Sequence, residues 1–355
     1  MRLLTLLLLF GTGLAGNDTL LLKSVDAGKT WTDIDPGPSE RFLRWLHIDS
    51  HSSTLYVLTQ RALGDAWRLA VSKDGGQAWQ TRQSFAPAIW NILAAKSSVP
   101  DTLTLAYEVP GGTQKSVMIA RVTNGGESIE EYQAEGLTID PPQAGLGSSY
   151  ASLIDLAGAP AVPSHLYALV TNEYADDIYA IFQALWASVD SGRSWRRLEP
   201  PVTRGCGYPE VQIDPLDSSV YLACGNELFR SADGGASWTP KPFPEGKRLW
   251  SLQFGAGEPA VLFGDRQGVI WKSTDGAETW QHLGTLPLAS QARYLTPHPV
   301  DPSLLFAATP NGVVKSEDGG ETWTVVTEYP LQSASPFRLV IDPRAPDTFY
   351  VVGIR

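Results

Sequence analysis

The sequence predicts an all-β fold, a seven-bladed β-propeller of four-stranded antiparallel blades. Three observations predict it: an octet that recurs along the chain, four strand-like runs around each copy, and complementary incomplete repeats at the two ends. The octet S-x-D-x-[GA]-x-[TSA]-W occurs as "SVDAGKTW" (24–31), "SKDGGQAW" (72–79), "SVDSGRSW" (188–195), "SADGGASW" (231–238), "STDGAETW" (273–280) and "SEDGGETW" (316–323). A worn seventh copy, "VTNGGESI" (122–129), has Asn124 at the Asp position and Ile129 in place of Trp. Successive Asp positions, 26, 74, 124 (Asn), 190, 233, 275 and 318, lie 48, 50, 66, 43, 42 and 43 residues apart. A period of 40 to 50 residues with several short strands per unit is that of a propeller blade.

The repeat containing "PEVQIDPLDSSVYLACGNELFRSADGGASWTPKP" reads most clearly as four strands. "PEVQID", "SVYLAC", "NELFRS" and "WTPKP" alternate polar and apolar residues, and Asp, Pro and Gly punctuate them. Within the octet the Asp carboxylate accepts backbone N–H bonds in a tight turn, Gly tolerates positive φ, hydroxyls add local bonds and Trp supplies apolar area. Asp26, Asp74, Asp190, Asp233, Asp275 and Asp318 are therefore read as structural. One Asp per loop is too few for a Ca²⁺ site of the EF-hand kind.

The ends complete one another. "FRLVIDPRAPDTFYVVGIR" supplies a first and a second strand without a third, and "DTLLLKSVDAGKTWTDI" supplies a third and a fourth without a first. The ring is expected to close through one shared blade. Residues 1–16, "MRLLTLLLLFGTGLAG", have the layout of a secretory signal peptide, with Arg2 before an apolar stretch too short to span a bilayer. Without them the spacing across the termini falls to 47 residues, inside the repeat range. The expected product is a secreted, extracellular or periplasmic monomer, residues 17–355 forming a single domain with no transmembrane anchor. No Cys follows the apolar stretch, so lipid-anchored maturation is not implied.

Composition bounds the partners. With 43% hydrophobic and 18% charged residues the 355-residue chain can bury a large core. A net charge of −11 argues against a sequence-independent grip on nucleic acid, which needs clustered Lys and Arg. The two cysteines, Cys206 and Cys224, flank two strand-like runs around a turn at 214–218, and are expected to face each other as a disulfide in an oxidising compartment. Five scattered His residues (His47, His51, His165, His282, His298) suggest no metal cluster, and no cofactor signature is present.

The octet resembles the Asp-box, or BNR repeat, of sialidase-type and related propellers, and the resemblance covers nearly everything after residue 17. It implies that the boxes lie between the third and fourth strands, away from the ligand face, as folding elements. Against the enzymes of that group, the chain lacks the Arg-Ile-Pro motif of sialidases, and Arg41, Arg44, Arg248, Arg293 and Arg338 are unassigned. Xyloglucan-cleaving members pair two propellers where this chain has one, and sortilin-type receptors have more blades and an anchor. Photosystem-assembly-type propellers present a basic patch, whereas this chain is acidic.

Function is therefore expected on the face opposite the boxes, on loops and inner strands. Aligning the innermost strands places Trp45, Ile92, Asp155, Glu210, Trp250, Tyr294 and Arg338 at a channel mouth. The extra length of the 66-residue repeat lies in "LTIDPPQAGLGSSY" (137–150) and in "TNEYADDIYAIFQA" (171–184), read as an acidic and aromatic loop carrying Glu173, Tyr174, Asp176, Asp177 and Tyr179. Trp45, Trp250, Tyr294, Arg338, Glu173, Tyr174, Asp176 and Asp177 are the candidate ligand contacts. Two functions follow: a binding or scaffolding module for a protein or glycan, or a polysaccharide hydrolase using Asp155 and Glu210 as paired carboxylates.

Overall fold

The computed structural model describes residues 19–354 except 35, 37–41, 63–64, 87–91, 97–98, 110–114, 140–148, 175–176, 203–208, 245, 248, 256–260, 266, 288–293, 310–311 and 329–334. The residues expected to form a signal peptide, together with Asp176, Cys206, Arg41, Arg248 and Arg293, lie outside this description. The described chain is 28 strands and a single 3-10 turn at Asn124–Gly126.

The strands form seven four-stranded sheets. The terminal sheet runs β2-β1-β28-β27, from β1 (Thr19–Ser24), β2 (Thr32–Asp33), β27 (Ser335–Ile341) and β28 (Phe349–Ile354). The next four strands along the chain are β3 (Phe42–Ile48), β4 (Leu55–Gln60), β5 (Arg68–Ser72) and β6 (Gln80–Ser84). They are followed by β7 (Ile92–Lys96), β8 (Leu103–Val109), β9 (Ser116–Thr123) and β10 (Ser128–Gln133). Then come β11 (Ser149–Gly158), β12 (Leu166–Tyr174), β13 (Asp177–Ser188) and β14 (Arg196–Leu198). The last three groups are β15 (Glu210–Ile213) to β18 (Thr239–Lys241), β19 (Leu249–Phe254) to β22 (Gln281–Thr285), and β23 (Tyr294–Pro297) to β26 (Thr324–Glu328). Within these lie β16 (Val220–Cys224), β17 (Glu227–Ser231), β20 (Val261–Asp265), β21 (Val269–Ser273), β24 (Leu305–Thr309) and β25 (Gly312–Ser316).

The reading of one closed seven-bladed ring is corrected to what the structure describes, seven sheets divided between two compact units. Leu63–Arg68 and Arg82–Pro240 make one unit, with the sheets β7–β10, β11–β14 and β15–β18; Asn17–Ala62, Leu69–Thr81 and Lys241–Arg355 make the other, with the remaining four. β5, β6 and β18 each have residues in both units. Apolar clusters join neighbouring sheets inside each unit. In the first unit Ile119, Leu153 and Trp186 join two sheets, and Leu169, Val211 and Leu222 join the next pair. In the second, Leu22, Phe306 and Phe349 form one such cluster, and Leu21, Val57 and Tyr350 another.

These clusters follow from the two-residue period of a strand. Leu20 and Leu22 of β1 enter one cluster while Leu21 enters its neighbour, and on β28 Phe349 and Val351 separate in the same way from Tyr350 and Val352. A strand covered on both faces needs an unbroken apolar run, which is why "TLLLKS" does not alternate. The second strands β4, β16 and β24 are buried along their whole length, whereas the fourth strands β6 and β18 are largely exposed. β1 pairs with β28 from Thr19↔Ile354 to Ser24↔Phe349, so the first and last described strands share one sheet.

Every octet lies between a third and a fourth strand and builds the same turn. In the first copy the Ser24 hydroxyl donates to Asp26 Oδ1 (2.7 Å) and accepts from Gly28 N (2.8 Å), while Asp26 Oδ1 accepts from Thr30 N (2.9 Å). The last copy repeats these bonds with Ser316, Asp318, Gly320 and Thr322 at 2.7, 2.8 and 2.9 Å. Positions four and five are left-handed in all seven copies, from Ala27 and Gly28 (φ 57° and 86°) to Gly319 and Gly320 (74° and 106°). The worn copy keeps that backbone through Gly125 and Gly126 (63° and 88°), although it lacks the Ser and the Asp. At Gly76 the turn also presses on the preceding sheet, since a Cβ there would stand 2.5 Å from Ile34 Cδ1.

The turn makes acid sensitivity a predictable property. Hydroxyl and backbone donors of Thr30, with the Ser24 hydroxyl, hold Asp26 down to about 2, and Ser237 and Ser231 do the same for Asp233. Asp275 and Asp318 are lowered further, chiefly by Thr279 and Thr322. A carboxyl whose folded pKa lies below its ordinary 3.8 stabilises the fold above that value and loses this contribution as pH falls through about 2. Denaturant midpoints are therefore expected to drop between pH 4 and pH 2, and Asp26→Asn with Asp233→Asn to flatten the slope there. An unchanged slope in the double variant would remove this explanation.

Candidate functional site

The first strands of neighbouring sheets meet one another within each unit, β7 with β11 and β11 with β15 in the first, β19 with β23 and β23 with β27 in the second. Each is an edge strand, so its outer N–H groups need partners from elsewhere. On β3, β11 and β15 one such group finds its partner on the preceding sheet. Leu43 N donates to Thr19 Oγ1 (2.5 Å), Leu153 N to Glu108 Oε1 (2.6 Å) and Val211 N to Asp155 Oδ2 (3.1 Å).

Four of these first strands carry a bulge. The register shifts between Leu43 and Trp45, Leu153 and Asp155, Leu249 and Ser251, and Pro336 and Arg338. A bulge places an unpaired residue in the strand and re-aims its neighbours. It also sets which residue holds the equivalent position in each sheet. The equivalent residues of the second strands, Leu58, Ala106, Leu169, Ala223, Gly264, Ala308 and Val352, pair with Trp45, Leu93, Asp155, Glu210, Ser251, Tyr294 and Arg338. Trp45, Asp155, Glu210, Tyr294 and Arg338 each hold this register position within their own sheet. Leu93 stands there in place of Ile92 on an unbulged strand, and Ser251 in place of Trp250, where the bulge between Leu249 and Ser251 is invisible to an alignment on strand ends.

Trp45 is buried and stacks on His47 at 5.5 Å with planes 15° apart. Asp155 receives Leu156 N on Oδ1 (2.9 Å) as well as Val211 N on Oδ2, so both carboxylate oxygens hold backbone. Glu210 accepts from Gln212 Nε2 at 2.9 Å. The backbones of Trp250, Tyr294, Arg338 and Arg44 are placed in their strands, but their side chains lie outside the description.

The segment 171–184, read as a loop, is a long hairpin. β12 and β13 pair from Leu166↔Ser188 out to Tyr174↔Asp177, with shifts at Val170/Thr171 and Glu173/Tyr174. Strand pairing satisfies the backbone of this acidic stretch, which is the physical reason it is ordered as sheet. Glu173, Tyr174, Asp177 and Tyr179 fall on it, with side chains outside the description. The stretch 137–150 begins in the core, where Leu137 and Ile139 are buried.

Cys224 is buried and disulfide-bonded, and no described cysteine is free. It pairs across β16 and β17 with Glu227. The ladder of β15 and β16 runs from Glu210↔Ala223 to Ile213↔Val220, and the expected partner, Cys206, lies outside the described residues.

Sequence reading missed Glu108, a carboxylate in the apolar run "LTLAYEV". Its side chain is 2% exposed and joins Lys115 Nζ (2.7 Å), Ser152 Oγ (2.9 Å) and Leu153 N. A lone acid inside a buried strand pattern was the available signal. Among the described residues no cluster of three or more His, Cys, Asp or Glu able to hold a metal occurs, and no helix is long and apolar enough to cross a membrane.

Four-stranded sheets of up-and-down strands, packed face to face and turned by Ser–Asp–Gly–Trp corners, define an Asp-box β-propeller. No family model matches the chain. The photosystem II assembly lipoprotein Ycf48 of Synechococcus sp. (strain CC9902) is 32% identical over 245 residues, covering 64% of this chain and 71% of that protein. The chain belongs to the Ycf48 family. The xyloglucanase Xgh74A of Acetivibrio thermocellus is 28% identical over 184 residues, 42% of this chain, which spans about a fifth (21%) of that enzyme's length. The solved structure of YCF48 bound to D1 peptide aligns over 97% of this chain and 96% of its own, at a TM-score of 0.58 and 16% identity. Acidity, held above against photosystem-assembly-type propellers, is thus no bar to membership. Net charge governs solubility and encounter, not fold.

Proposed function

We propose that this chain is an exported, monomeric scaffolding module that holds a segment of a protein partner on the face opposite its box turns. The observation that carries the reading is membership of the Ycf48 family, whose Synechococcus relative is named an assembly lipoprotein. The aligned YCF48 structure, bound to D1 peptide, supports a peptide as the ligand class. Residues 1–16 act as the export signal, and Cys206, the other cysteine of the chain, pairs with Cys224.

Fluorescence anisotropy of a labelled D1 peptide titrated with the mature chain tests the central claim. Saturable binding is expected, and a flat titration to about 100 μM, a bound of about −5.5 kcal/mol, would overturn it. The intact mass of the exported protein is expected to match residues 17–355 less two hydrogens.

The likeness to a xyloglucanase favours a second reading, polysaccharide hydrolysis by Asp155 and Glu210. Against it, Asp155 has both oxygens engaged by backbone N–H groups. Release of reducing ends from xyloglucan that disappears in Glu210→Gln would establish this reading in place of the first.

A further inference from the structure

A cavity of about 290 Å³ opens between the residues that end β6 and the strands β8, β9 and β10, and all of its lining belongs to one compact unit. Gln83, Ser84, Phe85, Tyr107, Met118 and Glu131 line it. Phe85 is fastened by its N–H to Trp67 O at 2.8 Å, and its ring meets Tyr107 edge-on at 5.3 Å. Tyr107 itself is buried, which together with the adjacent Glu131 carboxylate raises its phenol pKa and keeps it a hydroxyl. That hydroxyl donates to Glu131 Oε1, and Gln83 Nε2 donates to Glu131 Oε2 at 3.4 Å.

The polar groups of this cavity are poised to accept. The Tyr107 proton and one amide proton of Gln83 are committed to Glu131, which leaves further lone pairs on the carboxylate, Gln83 Oε1 and the Tyr107 oxygen. Among the described residues no Lys or Arg pairs with Glu131. A carboxylate in this setting favours a donor-rich cation, and the faces of Phe85 and Tyr107 attract the same charge. Met118 and Phe85 offer apolar wall to an aliphatic stem. The volume lies at the lower end of the range for ligand sites, too small for an oligosaccharide and sufficient for one long side chain.

We propose that this cavity seats a single basic side chain, arginine or lysine, of a protein partner. The proposal rests on the scaffolding reading for the nature of the partner and adds the residue class that the partner presents. The net charge of −11 adds long-range attraction for such a segment.

The chain offers its own reporter, since its only methionines are Met1 and Met118. In full-length protein labelled at the methionine methyl carbons, Met118 is followed while Ac-Gly-Gly-Xaa-Gly-Gly-NH2 peptides are added, with Xaa as Arg, Lys, citrulline or norleucine. The Arg or Lys peptide is expected to shift the Met118 signal saturably, with the neutral peptides at least about tenfold weaker. Glu131 is exposed, so Glu131→Gln should fold normally by far-ultraviolet circular dichroism while weakening the Arg and Lys responses by about tenfold or more. The proposal is overturned if neither cationic peptide moves Met118 at 10 mM, roughly the weakest side-chain affinity worth considering. It is equally overturned if citrulline matches Arg, or if Glu131→Gln responds like the parent. A Met118 response to Arg in a protein that ignores the D1 peptide would retain the cavity and discard that choice of partner; the converse would do the opposite.

Discussion

Phe349→Ala is expected to lower the unfolding free energy by about 3–5 kcal/mol, the range for removing a buried aromatic ring. Phe349 is fully buried on β28, paired with Ser24 of β1 and with Ile341 of β27. Its ring meets Phe306 edge-on at 4.6 Å, and it lies under the first box turn, whose Gly28 would bring a Cβ within 3.4 Å of it. Truncation therefore opens a void where the terminal sheet, the β23–β26 sheet and a box turn converge. Phe349→Leu, which refills much of that volume, should lose less than half as much. Urea unfolding of both variants decides the matter: a loss below about 1 kcal/mol for the alanine variant would mean that this junction does not hold the terminal strands.

Glu108→Ala is expected to be nearly as damaging, at about 3 kcal/mol, for a polar reason. Glu108 takes the N–H of Leu153 at 2.6 Å, the hydroxyl of Ser152 and the ammonium of Lys115, which also reaches Ala151 O at 2.8 Å. Removing the carboxylate orphans a backbone donor at a buried sheet edge and leaves the cation with half its partners. Lys115 is 37% exposed, so water screens the ion pair, and the larger share of the loss belongs to Leu153. The conservative variant separates the two. Glu108→Gln keeps an acceptor for Leu153 N and should lose only about 1 kcal/mol. If glutamine and alanine prove equally harmful, charge and not the backbone bond is what Glu108 supplies.

Much of the architecture was legible because a blade is written locally. Ser24, Asp26, Gly28 and Thr30 satisfy one another within seven residues, so the turn they make could be read wherever the octet stood. The worn copy shows the limit of that reading: Val122 and Asn124 cannot make the Ser–Asp bonds, yet Gly125 and Gly126 preserve the backbone. The pairing of the terminal segments was legible too, since an unmatched third and fourth strand must meet an unmatched first and second.

The candidate site was less legible. Trp45, Asp155, Glu210, Tyr294 and Arg338 each stand at the equivalent register position of their own sheet; Leu93 replaces Ile92 there on an unbulged strand, and Ser251 replaces Trp250 beside a bulge. A bulge adds a residue without leaving a compositional mark. The acidic stretch 171–184 reads as a loop because charge and aromatic content suit solvent-facing chain, and the β12–β13 pairing that makes it sheet leaves no mark in composition. Glu108 and the Phe85–Tyr107–Glu131 cavity lay outside any motif, because their partners are tens of residues distant.

The amino-acid sequence by itself determined the four-stranded repeat, the box turns and the meeting of the two ends, all of which depend on bonds and periodicities spanning a few residues. Only the tertiary structure decided how the sheets divide into two compact units, where the inner strands bulge, and which carboxylates hold backbone and which face a cavity. Those outcomes depend on which groups of one sheet satisfy the exposed edge of another, and that complementarity exists only once the strands are packed.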